Sequence, residues 1–424
     1  MQRLHRLLNH RRAPWILGLA LSILALLQAQ HRAGQGRCAL FKWDSAFEAF
    51  FSAGELYSIG AEGYPTLPFS LILMAPFHAA GPYVGACLWA LFKVGLAWWI
   101  VTRALRMLEG RLAPAWTLLV IVISLRPLLS DITHGNINLV VGASVATAAW
   151  SWFQGQEFRT GFWFGVGTIL KVTPALGLLW LLRKKSWRGL SGMTCGLLFA
   201  LTLPALFVGW TRNVHYMNGW WSQMVEPYLQ SRTLTLMQTE HINQSLFGVL
   251  ARYVTDSVAI PDITSGMGNI RIHFASLSAG AFHRLHQALS ALLLGSLLWR
   301  SAGRERAGTL AQFSMLALAM LFLSERSWKH HYVLLVFPVA FLVAHATCNP
   351  KALQRHAAAL TVALAMLLFG CTGSGLLGDH GSNLAEAYGA YFLGGLALFV
   401  ATAWLARHPL PPASVPVDPV EPRT

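Results

Sequence analysis

GFWFGVGTILKVTPALGLLWLL, residues 161–182, decides how the rest of the chain is read. It is apolar over the roughly 20 residues that a membrane-spanning helix requires, yet it carries Lys171 at its centre. A charge at membrane depth is costly and by default marks a polar cavity or pathway. No acidic residue lies within a turn or two of Lys171, so an anionic ligand is its expected partner. Pro174, three residues on, lacks a backbone N–H and frees a carbonyl in the preceding turn. The glycines of GFWFGVG, inside the apolar run, read as helix packing or flexibility.

The whole chain has this character. It is 55% hydrophobic and 12% charged, with a mean hydropathy of +0.49, whereas soluble domains carry about 25% charged residues. The reading is an all-α polytopic membrane bundle. Apolar stretches at about 13–30, 65–80, 83–105, 113–129, 137–153, 161–182, 189–209, 275–299, 309–323, 331–347, 357–376 and 384–406 predict about 12 transmembrane helices. They form one domain over residues 1–408, followed by a Pro/Val-rich tail, 409–424, expected to be a disordered cytoplasmic segment.

The net charge of +15 sits in short clusters between apolar segments, the pattern of cytoplasmic loops and not of a nucleic-acid-binding domain. With a retained first helix and the N-terminus inside, RKKSWR (183–188), RSAGRER (300–306) and KALQRH (351–356) fall in the cytoplasm. The long stretches 31–64 and 210–274 then emerge externally, each expected to hold an amphipathic helix. One cluster disagrees: RALRMLEGR (103–111) would lie outside on this count, so either the count between residues 65 and 153 is wrong or a segment there is re-entrant. The five cysteines (38, 87, 195, 348 and 371) have no CxxC or paired spacing, so neither a disulfide framework nor a zinc site is expected.

The external loop 31–64 holds Asp44, Glu48, Glu55 and Glu62, four of only 17 acidic residues. Asp44 and Glu48 are spaced i, i+4, as are Trp43 and Phe47, which puts carboxylates on one helix face and aromatics on another. Arg126 and Asp131 bracket RPLLSDITHGNIN, where they line a polar cavity or pair with each other. Lys93 reads as a snorkelling side chain. SERSWKHHYVLLVFP (324–338) brings Lys329, His330 and His331 to the end of an apolar helix. Adjacent histidines point about 100° apart on a helix, which suits a phosphate-facing rim better than a shared metal. In EHINQSLFGVLARYV, Asn243 and Gln244 supply paired donors and acceptors of the kind sugar hydroxyls need. Nucleotide-binding GxGxxG and P-loop patterns are missing, as are GxSxG and HExxH.

KWDSAFEAFF, HGNIN, LKVTPALGLLWLLRKKSW, NQSLFGVLAR and SWKHHYVLLVFP, in that order, resemble the polyprenol-phosphate-mannose-dependent alpha-mannosyltransferases of the GT-C class of membrane glycosyltransferases. The family's external-loop Asp falls on Asp44, its K-x-x-P on Lys171 and Pro174, its N-Q-S on Asn243, Gln244 and Ser245, and its W-x-H-H on Trp328, His330 and His331. The chain departs from the family's G-Q-x-N at Gly135-Asn136-Ile137-Asn138. The resemblance implies sugar transfer, mannose above all, from a polyprenyl-phosphate donor to a lipid or glycan acceptor at the periplasmic face of a bacterial inner membrane. Asp44 is then the general base, with Lys171, Lys329, His330, His331 and Arg126 on the donor phosphate. Glu48, Asn136, Asn138, Asn243 and Gln244 are left for acceptor or sugar. No metal, nucleotide or other cofactor is called for, and the partners are membrane lipids, not nucleic acid. The competing expectation is a transporter or flippase of lipid-linked sugars, against which stands the lack of a second KVTP or HGN in the C-terminal half.

Overall fold

A computed structural model describes residue 10, residues 12–52, 54–57, 64–227, 235–301 and 308–408, and residue 410. Glu62, most of RSAGRER and all but one residue of the expected tail 409–424 lie outside that set. Helices in chain order are α1 (Ala13–Gly34), α2 (Asp44–Phe51), α3 (Phe69–Ala79), α4 (Pro82–Arg106), α5 (Pro114–His134), α6 (Asn138–Phe153), α7 (Glu157–Leu170), α8 (Leu176–Arg183) and α9 (Trp187–Thr202). They continue with α10 (Trp210–Trp220), α11 (Leu246–Val254), α12 (Ala279–Arg300), α13 (Thr309–Phe322), α14 (Val336–Cys348), α15 (Ala352–Cys371), α16 (Ser374–Ala387) and α17 (Ala390–Leu405). Strand pairing among the described residues is confined to an isolated bridge between Ile260 and Ile270.

Among the described residues, five helical segments are long and apolar enough to cross a membrane: Ala13–Lys42, Pro82–Arg106, Pro114–His134, Trp187–Val208 and Ala352–Cys371. The pair α16 and α17, bent by 55°, makes a sixth if it is one span. The protein is therefore a multi-pass helical membrane protein, with fewer through-helices than the twelve apolar stretches. Three of those stretches are helices of only 11, 14 and 13 residues, α3, α13 and α14. At 1.5 Å per residue, 11 residues cover roughly half the hydrocarbon core.

Residues 161–182 are not one span. The α-helix stops at Leu170, a 3-10 turn covers Thr173–Ala175, and α8 runs back beside α7. The pairing is explicit. A Cβ at Gly177 would meet the Phe164 ring and one at Gly167 would touch Pro174, while Ser186 Oγ donates to Glu157 Oε2 at 2.6 Å. Pro174 cannot donate to the Leu170 carbonyl and crowds it, so the break falls where the motif puts it. Lys171 is thereby carried at the tip of a helical hairpin. The glycines around it do pack: a Cβ at Gly161, Gly192 or Gly196 would overlap the carbonyl oxygen of Gly189, Phe158 or Phe162 respectively. That lets α7 and α9 run side by side at backbone contact.

Residues 103–111 also depart from expectation. Cys348 Sγ lies 3.4 Å from the Arg111 carbonyl oxygen, and the Arg103 guanidinium sits 4.9 Å from the Trp150 ring centre. Lys184 lies 5.7 Å from the Trp152 ring centre, Arg183 donates to the Leu298 carbonyl at 3.1 Å, and Arg407 covers Trp299 at 5.3 Å. These basic turns share one end of the bundle. The expected conflict came from counting α3 as a full crossing. Instead α3 turns at Gly81 (φ 82°) and lies against the start of α4, where Gly85 gives room for the Phe77 carbonyl.

Candidate active site

The opposite end of the bundle collects the polar residues. On α2, Ala46, Phe47 and Phe50 are buried while Asp44, Ser45 and Glu48 face outward. Asp44 opens the helix, where the dipole favours a carboxylate, and its Oδ1 is 2.9 Å from His78 Nε2. The His78 ring stacks on Phe47 with centroids 3.9 Å apart. Asp44 keeps a side-chain exposure of 65%, so it is held by one partner and open to a substrate. Sequence reading missed His78, which is 34 residues away on α3.

The turn between α5 and α6 is the floor. Gly135 adopts a left-handed conformation at the end of α5 (φ 75°, ψ 15°), and a Cβ there would meet Cys38 Sγ at 2.7 Å, so the start of the acidic loop rests on this turn. Below it Lys93 and Asp131, both with fully buried side chains, form an ion pair at 2.9 Å. Neither of the expected arrangements for these residues holds: Lys93 does not snorkel and Asp131 does not pair with Arg126. Asp131 also accepts from Asn138 Nδ2 at 2.9 Å and from the Leu139 N–H at 3.1 Å. Asn138 Oδ1 in turn accepts from Lys171 Nζ at 3.1 Å.

Lys171, Asn138, Thr173, Ser324, Ser327 and His331 line the polar part of a small cavity, walled otherwise by apolar side chains such as Val141 and Met320. Beside it Asn136 Nδ2 is 3.0 Å from His330 Nε2, and the His330 ring stacks on His134 at 5.4 Å. His330 and His331 lie on a 3-10 turn (Lys329–His331) with their rings 87° apart. Burial holds His330 well below the usual imidazole range, with His134 and Lys171 adding to it. Burial does the same to His331, followed by the charge on Lys171. Both rings are neutral hydrogen-bonding groups at physiological pH, and Lys171 is the cation of the cavity wall.

The other residues expected on the donor phosphate sit elsewhere. Lys329 Nζ is bonded to Glu386, and reaches the Thr372 carbonyl at 3.4 Å. Arg126 donates to the Phe369 carbonyl, Thr372 Oγ1 and the Thr372 carbonyl at 2.6, 2.6 and 2.5 Å. Both cations thus cap the C-terminal end of α15, where orphan carbonyls and the helix dipole favour positive charge.

Asn243 and Gln244 are fully buried, and every polar atom of their amides is engaged. Asn243 donates to the Gln238 and Glu325 carbonyls and accepts from the Ser245 and Ser327 N–H groups. Gln244 donates to the His241 and Glu386 carbonyls and accepts from the N–H groups of Tyr391 and Phe392. Ser245 caps α11 through the Gly248 N–H. Arg252, unremarked in the sequence, is buried with donor bonds to five carbonyls, those of Ala387, Thr239, Glu240, Asn243 and Glu386. NQSLFGVLAR is therefore a clamp that fastens the second loop to α16 and α17. The two loops are joined as well: His215 is 2.8 Å from Glu55, and Tyr216 donates to the Gly54 carbonyl at 2.9 Å.

Residues 64–324 match the glycosyltransferase family 87 profile. The chain belongs to glycosyltransferase family 87. The matched region holds Asp131, Asn136, Asn138, Lys171 and Asn243, and leaves Asp44 and the His330–His331 turn outside. Among family relatives, a polyprenol-phosphate-mannose-dependent alpha-(1-2)-phosphatidylinositol mannoside mannosyltransferase of Mycobacterium tuberculosis is 29% identical over 58% of this chain and 50% of its own. A pentamannoside mannosyltransferase of the same type from that species is 23% identical over 66% and 58%, and its Mycolicibacterium smegmatis counterpart 24% over 66% and 60%. The chain spans between half and three fifths of the length of these curated relatives. Among solved structures, ArnT from Cupriavidus metallidurans bound to undecaprenyl phosphate superposes over 94% of this chain and 78% of its own. Its identity is 14% and its TM-score 0.44, too low to establish a shared fold.

Proposed function

We propose that this family 87 protein transfers a sugar, mannose by preference, from a polyprenyl phosphate to a hydroxyl of a lipid or glycan acceptor. The reaction takes place at the outer face of a bacterial inner membrane. The observation that carries the reading is the placement, at the end of the bundle remote from the basic turns, of an open carboxylate and a cation-lined cavity on either side of the Gly135 turn. The basic end is cytoplasmic by the positive-inside rule, which turns the site outward.

In the reaction Asp44 takes the proton of the acceptor hydroxyl as its oxygen bonds the anomeric carbon. The bond from that carbon to the phosphate oxygen breaks, and the electron pair leaves on the polyprenyl phosphate. Lys171 meets the added charge, with His331 and His330 as neutral donors at the rim. One displacement inverts the anomeric centre, so a beta-linked donor gives an alpha-linked product. Glu48, one turn beyond Asp44 and exposed, faces the acceptor. The names of the relatives, which use polyprenol-phosphate-mannose and carry lipid acceptors, support the choice of donor. The deciding experiment incubates purified protein with radiolabelled polyprenyl-phosphate-mannose and envelope lipid extract. Label moving to a lipid or glycan product supports the proposal, and an intact donor with no labelled product in any extract overturns it.

A further inference from the structure

The chain Lys93–Asp131–Asn138–Lys171 is continuous, and each link settles the next. Lys93 neutralises Asp131 inside the protein. The Asp131 carboxylate also takes the Asn138 amide N–H₂ at 2.9 Å, which leaves only the Asn138 carbonyl oxygen to face outward. That oxygen receives Lys171 Nζ at 3.1 Å. Lys171 itself is freed from helical geometry by the break at the tip of the α7–α8 hairpin, so its backbone alone does not aim its flexible stem. Asn138 is 7% exposed and Asp131 is fully buried, and neither reaches solvent enough to serve as a surface contact.

We propose that Asn138 is a positioning residue, which carries orientation from the buried Lys93–Asp131 pair to the Lys171 ammonium and so presents that charge to an anionic group in the cavity. This rests on the reading of the cavity as the polyprenyl-phosphate site. The amide is the right relay chemically. It donates to a carboxylate on one side and accepts from an ammonium on the other, and carries no charge that would neutralise Lys171. A carboxylate at 138 would instead pair with Lys171 and repel Asp131.

The test uses detergent-purified full-length protein, polyprenyl phosphate binding, and steady-state kinetics with the labelled donor. Asn138→Ala removes the relay, and donor affinity should fall roughly 10- to 100-fold, the range for a lost hydrogen bond to a charged group, with KM rising more than kcat falls. In Asn138→Ala the further change Lys171→Met should cost far less than it does alone, because the two act through one contact. Asn138→Asp keeps the shape. It should bind donor poorly at neutral pH and recover as pH is lowered and the new carboxylate is protonated, a profile absent from the wild type. A purely structural Asn138 would lower the folded yield and leave donor KM and its pH profile unchanged, which overturns the proposal. If Lys171→Met alone leaves donor binding intact, the cavity is not the phosphate site and the parent reading fails; a damaged Lys171→Met with an unaffected Asn138→Ala defeats the relay only.

Discussion

Asp44 and His78 meet at 2.9 Å across the join between the acidic loop and α3, with the imidazole stacked flat on Phe47. A single imidazole partner orients one carboxylate oxygen and leaves the other for an acceptor. Asp44→Asn keeps the shape and removes the proton acceptor, so turnover should fall by roughly 10²–10⁴-fold while donor binding survives. His78→Ala should cost less, since it releases the carboxylate without removing it. Turnover of Asp44→Asn within a few-fold of wild type would shift the base to Glu48.

Gly161 allows α7 to touch the backbone of α9 at Gly189. Gly161→Ala should destabilise the protein by about 1–3 kcal/mol, as over-packing of a close helix pair does, read as a lower Tm in detergent. Gly95 on α4 has nothing within 4 Å of its Cβ position, so Gly95→Ala should leave the Tm unchanged or raise it. Equal effects at the two positions would show that general helix propensity, and not the close approach, governs.

Lys329 and Glu386 test the assignment of a sequence-legible cation to structure. The Glu386 side chain is 3% exposed and that of Lys329 is 29% exposed. Lys329→Met should strand the carboxylate and lower stability, by less than the roughly 3–5 kcal/mol of a fully buried broken pair. Lys329→Met with Glu386→Gln should recover much of that loss in a thermal melt and retain donor binding. Donor binding that collapses in the double variant, with stability restored, would return Lys329 to the phosphate.

Acid should destabilise the half of the protein that holds the cavity. His241 is pushed down from 6.5 to about 4, first by burial and then by the charges of Arg252 and Lys329, and His330 and His331 lie below the ordinary value for the reasons given above. Because the folded pKa is depressed, the unfolded chain binds protons first as pH falls below about 6.5. Stability is therefore complete above that pH and declines towards pH 4. Tm measured from pH 7.5 to 4.5 should fall, and His241→Gln should flatten the slope; identical slopes would remove His241 from the effect.

Orientation is open to chemical labelling. In a cysteine-free background, Ser52→Cys at the end of α2 should react with an impermeant maleimide from outside intact cells, and Arg188→Cys beside the basic turns should not. The reverse pattern would turn the site towards the cytoplasm.

Hydropathy and composition determined from sequence alone that this is a helical membrane protein. They also located its apolar segments, the clustering of basic residues in short turns, and the amphipathic run that becomes α2. These are local properties: a helix face or an apolar stretch is written in residues a few positions apart. The break at Lys171 was half legible, because Pro174 frees the carbonyl, but whether the chain then continues or doubles back depends on what α8 packs against. The pairing of charges was not legible at all. Lys93 meets Asp131, Asp44 meets His78 and Lys329 meets Glu386 across 38, 34 and 57 positions of chain. A charge responds to what surrounds it in space, so only the tertiary structure could decide which cations serve helix ends and which one, Lys171, faces the cavity.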